Sequence, residues 1–257
     1  MSSAANPAIK AVARLRKKRG GQLLIDGARA LSLALAGGVR VEDVFLSEAA
    51  TLAEQAAARA ARAAGARLTP VAAAIFDRIA YGNAPDGIVA VAEAPDCSLE
   101  RLTVPDAPLI LVLAGLEKPG NLGALLRTAD AVGVDAVIVA EPASDPLSPN
   151  VVRASRGTLF TVPVAVADAA SAIAWLEIRH IPIAAAVPDA ATLYTRAPLG
   201  GAVAIALGAE HAGLPPVWKA AASLSVTIPM RGRADSLNVA TSGAVLLYEA
   251  LRQRGAG

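Results

Sequence analysis

Aromatic and charged residues are both scarce in this chain of 257 residues. Aromatics make up 3% of the sequence and charged residues 18%, whereas charged residues usually reach about 25%. Hydrophobic residues account for 54%. Disorder requires low hydrophobicity and high net charge, so this composition excludes a disordered chain. With so few aromatics, the core must be built from Ala, Val, Leu and Ile.

Cysteine and histidine are almost absent. The single cysteine, Cys97, excludes an intramolecular disulfide and a zinc cluster built on cysteines. The two histidines, His180 and His211, are too far apart in the sequence to form a metal-binding pair on one helix. We therefore expect no metal ion.

The chain also lacks an uninterrupted apolar run, although its mean hydropathy is +0.48. The most apolar window, 157–176, contains Pro163 and Asp168, whereas a membrane-spanning helix needs about 20 mostly apolar residues. The first residues, MSSAANPAIK, contain no apolar stretch of the signal-peptide type. We expect a soluble, cytoplasmic protein that does not contact the membrane.

Positive charge is concentrated at the start of the chain. Residues 1–30 contain seven basic residues and one acidic residue, a net charge of +6, so the remaining residues carry −4 of the total of +2. Such a basic block suggests contact with a polyanion, and a solvated helix face explains it equally well. The candidate contact residues are Arg14, Arg16, Lys17, Lys18 and Arg19.

Helical and strand-like segments alternate along the chain, which predicts an α/β fold. Residues 94–108 carry three prolines and are the best candidate for a linker. We predict a smaller α/β domain over 1–93 and a larger α/β domain over 109–257. The pattern predicts helices over 71–80, 121–132 and 237–254, among others.

Common nucleotide-binding motifs are missing. No G-x-G-x-x-G follows a predicted strand, and 115–120 has the glycine spacing of a P-loop without the Lys and Ser/Thr that must follow. Three polar clusters instead follow apolar strands, over 117–128, 207–214 and 228–239. Ligands of open α/β sheets bind at such carboxyl ends.

The sequences of these clusters include N-L-G-A-L-L-R-T, L-G-A-E-H-A-G-L and I-P-M…S-L-N-V. In this order and spacing they resemble the three motifs of the SpoU/TrmH RNA 2′-O-methyltransferases. The resemblance implies a trefoil-knotted α/β catalytic domain, a homodimer and S-adenosylmethionine as the cofactor. The earlier segment R-x-R-K-K-R…L-I-D-G-A-R-A-L is similar to the ribosomal-protein-like substrate-binding domain of members that act on ribosomal RNA. This similarity implies that the basic block contacts RNA.

The resemblance also implies roles for individual residues. Arg127 would activate the ribose hydroxyl or grip a phosphate, and Glu210 would orient that arginine. Asn121 is expected at the N-cap of its helix, facing the pocket. Ser236 and Asn238 would face substrate or cofactor, cap the terminal helix, or do both. The expected cofactor contacts are Leu207, Gly208, Ile228, Pro229, Met230 and Leu237.

Some positions depart from the family pattern, and some alternatives stay open. His211 stands where the family usually has Gly, and Asp86 stands where it tends to have Gln. Arg127 has a purely structural alternative, an ion pair with Asp130 on the same helix. Transfer RNA is the alternative substrate to the preferred ribosomal RNA. A non-catalytic RNA-binding or assembly factor and a small-molecule methyltransferase are the other functions considered.

Overall fold

The computed structural model describes residues 7–15, 20–80 and 86–255. The chain divides into two compact units. The N-terminal unit consists of Met1–Pro95 and Leu147–Thr161, and the C-terminal unit of Asp96–Pro146 and Val162–Gly257. Each unit is described by itself.

The N-terminal unit contains a four-stranded mixed sheet in the order β1-β4-β2-β3. β1 and β2 each pair with β4 in an antiparallel manner, and β2 pairs with β3 in parallel. Its strands are β1 (Gln22–Asp26), β2 (Val41–Ser47), β3 (Arg67–Val71) and β4 (Ile88–Glu93). Its helices are α1 (Pro7–Leu15), α2 (Ala28–Ala36), α3 (Leu52–Ala63), α4 (Ala73–Phe76) and α6 (Pro149–Ala154).

A capping box begins α3 and also anchors the turn before β4. The Thr51 side chain accepts from the Glu54 N–H at 3.3 Å, and the Glu54 carboxylate accepts from the Thr51 N–H at 2.7 Å. Such a cap contributes about 1 kcal/mol to helix stability. Glu54 Oε1 also accepts from the Gly87 N–H at 2.5 Å. One buried carboxylate therefore fixes both a helix start and the entry into the central strand.

The C-terminal unit is built on a seven-stranded sheet in the order β7-β6-β5-β10-β8-β11-β9. All its strand pairs are parallel. The strands are β5 (Leu109–Ala114), β6 (Ala136–Ala140), β7 (Val164–Ala167), β8 (Ile183–Ala186), β9 (Thr192–Leu193), β10 (Val203–Leu207) and β11 (Leu224–Thr227). The helices are α5 (Pro119–Val132), α7 (Ala169–Ile178), α8 (Pro216–Ala221) and α9 (Val239–Gln253). The predicted α/β fold is confirmed, and β5 and β10 are buried along their full length, as central strands of a parallel sheet covered on both faces are.

Helices α5 and α9 pack against each other, and this contact positions the candidate site. A Cβ on Gly243 would lie 2.3 Å from the Leu125 side chain, so glycine allows the two helices to approach closely. Asn121 in the first turn of α5 and Asn238 at the N-cap of α9 bring their side chains together.

The end of α9 is fixed by a buried carboxylate. Glu249 is 8% exposed and accepts two bonds from the Arg252 guanidinium, at 2.8 and 2.9 Å, and one from the Gln253 amide at 2.8 Å. The Arg252 hydrogen bond, followed by the Gln253 bond, lowers the pKa of Glu249 to about 2. The carboxylate therefore stays charged, and stabilises the fold, over the whole physiological range.

The division into units differs in two places from the domains expected from sequence. Within the expected linker, Leu99 and Leu102 are buried in the core of the C-terminal unit. The segment 147–161 was expected in the catalytic domain and instead packs with the N-terminal unit, where α6 contacts β1. Arg153 on α6 forms an ion pair with the buried Asp26 at 3.3 Å.

The predicted helix over 71–80 is wrong in its first part. Residues 67–71 form β3, and the helix that follows covers only Ala73–Phe76. β3 lies at the edge of its sheet, where Pro70 is tolerated because an edge strand does not need every N–H for pairing. The terminal helix is confirmed, although it begins at Val239 and not at Leu237.

Two further findings concern the described ranges only. No helix in them combines the length and apolarity needed to cross a membrane. Their His, Cys, Asp and Glu side chains form no group of three that could hold a metal ion.

Candidate active site

A cleft opens at the carboxyl ends of β8, β10 and β11, where the loops after these strands converge. Its apolar wall includes Leu207, Ile228, Met230 and Leu237, and its polar groups are the side chains of Glu210, Lys219, Asp235, Ser236 and Ser242. Five of the six predicted cofactor residues therefore line one cleft. Pro229 stands between two of them in the chain and is not itself part of the lining.

The loop after β10 folds back on itself. The Gly213 N–H donates to the Ala209 carbonyl at 2.9 Å, and a Cβ on Gly208 would lie 2.2 Å from the peptide joining Gly213 and Leu214. Gly208 was expected to contact the cofactor. The structure gives a stricter reason for glycine at this position, because the backbone of the same loop approaches too closely to leave room for a side chain.

The loop after β11 forms few backbone hydrogen bonds within the part of the chain that the structure describes. From Met230 to Leu237, no backbone N–H donates to a backbone carbonyl of the described residues. Met230, Asp235, Ser236 and Leu237 of this loop line the cleft. Polar backbone groups beside an apolar wall suit a ligand that combines a flat apolar ring with hydrogen-bonding edges.

Glu210 separates this cleft from a smaller one and lines both. Its carboxylate accepts from Asn238 Nδ2 at Oε1 and from the Lys118 ammonium at Oε2. Asn238 Nδ2 also lies 3.3 Å from Asn121 Oδ1. The smaller cleft is lined by Leu116, Glu117, Lys118, Asn121, Ala209, Glu210 and His211. The structure thus brings together three predicted catalytic residues, Asn121, Glu210 and Asn238, and adds Lys118 to them.

The N-cap of α9 determines which way the Asn238 amide points. Asn238 Oδ1 accepts from the Ala240 N–H at 2.9 Å, so the Nδ2 donors are left to face Glu210. Asn238 therefore caps the terminal helix, and its other donors contact Glu210 and Asn121, although Asn238 itself lines neither cleft. Ser236 lines the larger cleft and does not cap the helix.

The start of α5 differs from the expectation for Asn121. The helix begins at Pro119 with Lys118 as the N-cap residue, because proline at the first position presets the helical φ. Asn121 is therefore the third residue of the helix and not its cap. Its side chain still reaches the smaller cleft.

Neighbouring groups keep the Glu210 carboxylate charged. The hydrogen bond from Lys118 is the largest cause that holds the pKa of Glu210 below its ordinary value; the neighbouring amide side chain of Asn121 contributes next, with smaller Coulombic contributions from Lys118 and His211. A carboxylate with a lowered pKa is a weak base. Glu210 is therefore suited to accept and orient hydrogen bonds.

Arg127 lies apart from this cluster. It is six residues beyond Asn121, which is about 9 Å along a helix axis, and it lines neither cleft. Its side chain is exposed and forms no hydrogen bond or ion pair with any residue that the structure describes, Asp130 included. The single chain does not bring Arg127 to Glu210.

Two lysines near the clefts were missed from sequence. The only signal for Lys118 was its place directly before Pro119 in the first motif, and Lys219 on α8 had none. Among the predicted RNA contacts, Arg14 is exposed near the end of α1. Arg16, Lys17, Lys18 and Arg19 lie outside the described residues.

Comparison with known proteins finds a matching family for each half of the chain. The SpoU rRNA Methylase family matches residues 108–248, and the MRM3-like substrate binding domain matches residues 6–90. The chain is 31% identical to a 23S rRNA (uridine(2479)-2′-O)-methyltransferase of Streptomyces viridochromogenes, over 95% of this chain and 87% of that protein.

Solved structures agree with this result. A crystal structure of an RNA 2′-O ribose methyltransferase matches with a TM-score of 0.86 and 42% identity, covering 99% of this chain and 98% of that one. The SpoU methyltransferase AviRb from Streptomyces viridochromogenes, in complex with the cofactor AdoMet, matches with a TM-score of 0.88 and 29% identity, covering 98% and 100%. The resemblance inferred from the three motifs is confirmed, and the chain belongs to the SpoU rRNA methylase family.

Proposed function

We propose that this protein transfers a methyl group from S-adenosylmethionine to a ribose 2′-hydroxyl of ribosomal RNA. The observation that carries the proposal is the position of Glu210, whose carboxylate forms a wall of the cofactor cleft and of the smaller cleft beside it. A hydroxyl bound in the smaller cleft would reach both the carboxylate and the cofactor. The relatives described above carry the same activity in their names.

The residues of the larger cleft fit the cofactor. The apolar side chains of Leu207, Ile228 and Leu237 suit its adenine ring, and the backbone polar groups of the loop after β11 suit the polar edge of that ring. Lys219 and Asp235 supply opposite charges for the carboxylate and ammonium of its amino-acid end. When bound, the cofactor supplies a methyl group activated by a sulfonium.

The polar cluster orients the nucleophile. Glu210, held by Lys118 and Asn238, accepts a hydrogen bond from the ribose hydroxyl and aligns its oxygen with the cleft. As the oxygen bonds to the methyl group and the bond from the methyl group to sulfur breaks, the hydroxyl proton passes to this carboxylate and from there to water. Arg127 grips an RNA phosphate, because a guanidinium with a pKa above about 12 is a poor base and binds phosphate well. The filled polar positions argue against a non-catalytic binding factor.

The N-terminal unit supports ribosomal RNA over transfer RNA. It matches a substrate binding domain, and the first thirty residues carry a net charge of +6. A dedicated basic domain suits a large folded RNA, whose loops present ribose hydroxyls. A cytoplasmic location, as expected for modification of bacterial ribosomal RNA, is part of this proposal.

We also propose a homodimer formed through the C-terminal unit. The family resemblance implies this dimer, and the apolar run of α9 offers a surface for it, but Leu246 and Leu247 are buried within the chain. Tyr248, which is 52% exposed, and the partly exposed Val245 and Leu251 remain as candidates for the interface. Sedimentation at micromolar concentration is expected to give a dimer, and a fully active monomer would contradict this.

The function is tested by mapping 2′-O-methyl groups in total RNA from cells with and without this protein. We expect one or a few ribosomal positions to lose the modification when the protein is absent. Loss of a modification in transfer RNA instead would favour the alternative substrate. Unchanged methylation of all RNA would favour a non-catalytic role.

A further inference from the structure

The Glu210 carboxylate is held at both oxygens by side chains from two different helices. Oε1 accepts from Asn238 at the N-cap of α9, and Oε2 accepts from Lys118 at the N-cap of α5. Glu210 itself stands on the loop after β10. Within the described residues, the backbone of that loop is tied across its base by the bridge between Ala209 and Gly213. The direction of the carboxylate therefore depends on its two side-chain donors.

Lys118 and Glu210 differ in their exposure to solvent. The lysine side chain is 60% exposed, whereas the Glu210 side chain is 20% exposed. An isolated surface ion pair contributes little to stability, so stabilisation of the fold does not account for the contact between Lys118 and Glu210. The contact instead fixes one oxygen of a half-buried carboxylate that lines both clefts.

The charges around Glu210 give Lys118 a second effect. His211 and Glu117 line the smaller cleft, and Lys219 and Asp235 line the larger one. Among the groups that lower the pKa of Glu210, Lys118 contributes most. Removing the lysine takes away this contribution and leaves Oε2 without its donor.

We propose that Lys118 is a positioning residue for methyl transfer, which acts through Glu210 by holding its carboxylate in the orientation that receives the ribose hydroxyl. This inference rests on the function proposed above. Lys118 does not touch the reacting atoms. Its expected effect is therefore on kcat and disappears when Glu210 can no longer act.

A different role for Lys118 makes a different prediction. An ammonium has three donors, so an exposed lysine that donates once to Glu210 could also bind an RNA phosphate. In that case its removal would raise KM for RNA and reduce the dependence of binding on salt, because each lost phosphate contact lowers the salt slope by roughly 0.7–0.9. The effect would add to that of a Glu210 variant.

The test is a double-mutant cycle with Lys118→Gln, Glu210→Gln and the double variant of the full-length protein. Arg101→Gln is the control, since Arg101 is an exposed cation of the same unit that lines neither cleft. Initial rates are measured with labelled S-adenosylmethionine and protein-free 23S rRNA, and cofactor affinity and Tm are measured for every variant. Unchanged Tm and cofactor affinity ensure that a lost rate reflects the site and not the fold.

We expect Lys118→Gln to lower kcat by about 10- to 100-fold, the usual effect of a misplaced group, with an unchanged salt slope for RNA binding. The double variant should be no slower than Glu210→Gln alone, and Lys118→Arg should recover part of the rate. Additive losses, a raised KM with unchanged kcat, or a wild-type rate for Lys118→Gln would each overturn the proposal. If the wild-type protein methylates no ribosomal RNA, the proposed function fails instead, independently of the variants.

Discussion

Exchanging Asn238 for aspartate changes one polar contact of the site and leaves the helix cap intact. Asn238 Oδ1 caps α9 through the Ala240 N–H at 2.9 Å, and aspartate caps helices as well as asparagine does. The Nδ2 group that donates to Glu210, however, becomes an oxygen. Two carboxylates then face each other, whereas in the wild-type protein the Asn238 amide donates to the Glu210 carboxylate.

The size of the effect follows from the lost contact. A hydrogen bond to a charged group contributes about 1.5–3 kcal/mol, and each 1.36 kcal/mol of activation free energy is a factor of ten in rate. If the bond orients Glu210 in the transition state, kcat should fall by about 10- to 150-fold. Because the cap is retained and the contact is partly exposed, Tm should fall by only a few degrees, about 2–4 °C for each kcal/mol that the contact contributes to the folded state.

The assay compares Asn238→Asp with two further variants. Asn238→Ser keeps an oxygen for the cap and also lacks the Nδ2 donor, so its rate should be equally low. Combining Asn238→Asp with Glu210→Gln reverses the donor and the acceptor, which should restore the contact but not the rate, because the carboxylate at 210 is gone. Wild-type turnover by Asn238→Asp would refute the role assigned to this contact.

Four further outcomes are expected. Arg127→Ala should lose methyl transfer and keep its cofactor affinity, and Arg127→Lys should be nearly as slow, by about 100-fold, in single-turnover and cofactor-binding assays. Gly208→Ala should weaken cofactor binding at least about tenfold in calorimetry, because its Cβ would lie 2.2 Å from the opposite peptide of the loop. Glu249→Gln should lower Tm by about 3–6 °C at neutral pH. The pKa of Glu249 in the folded protein, about 2, lies below the ordinary 4.5, so the difference in Tm between the variant and the wild-type protein should shrink as the pH falls from 4.5 to 2. Deleting residues 1–93 should destabilise the remainder in thermal unfolding, because α6, with its buried Val151, would lose the strand against which it packs.

Apolar runs and motif order made most of the fold predictable. The run at 109–114 is uniformly apolar because β5 is covered on both faces. A buried strand of this length could therefore be predicted from the run alone. The start of α5 was placed two residues late because asparagine is a good N-cap. The helix in fact begins at Pro119, because the fixed φ of proline suits the first helical position.

Features that depend on distant contacts could not be predicted. The ion pair of Lys118 with Glu210 joins residues 92 positions apart in the chain, and nothing local to either residue specifies it. The association of 147–161 with the N-terminal unit likewise depends on packing of α6 against β1. The role of Arg127 stays a prediction, because it comes from the family motif and not from any contact within the described residues.

The most direct test of the account is the chemical position of the transferred methyl group. The purified protein is incubated with methyl-labelled S-adenosylmethionine and protein-free 23S rRNA, and the RNA is then hydrolysed in alkali. A 2′-O-methyl group blocks attack of the ribose oxygen on the neighbouring phosphate. The account therefore predicts label in alkali-resistant dinucleotides, which should accumulate about 10- to 150-fold more slowly with Asn238→Asp. Label recovered in mononucleotides, which indicates base methylation, or no transfer to the RNA at all, would contradict it.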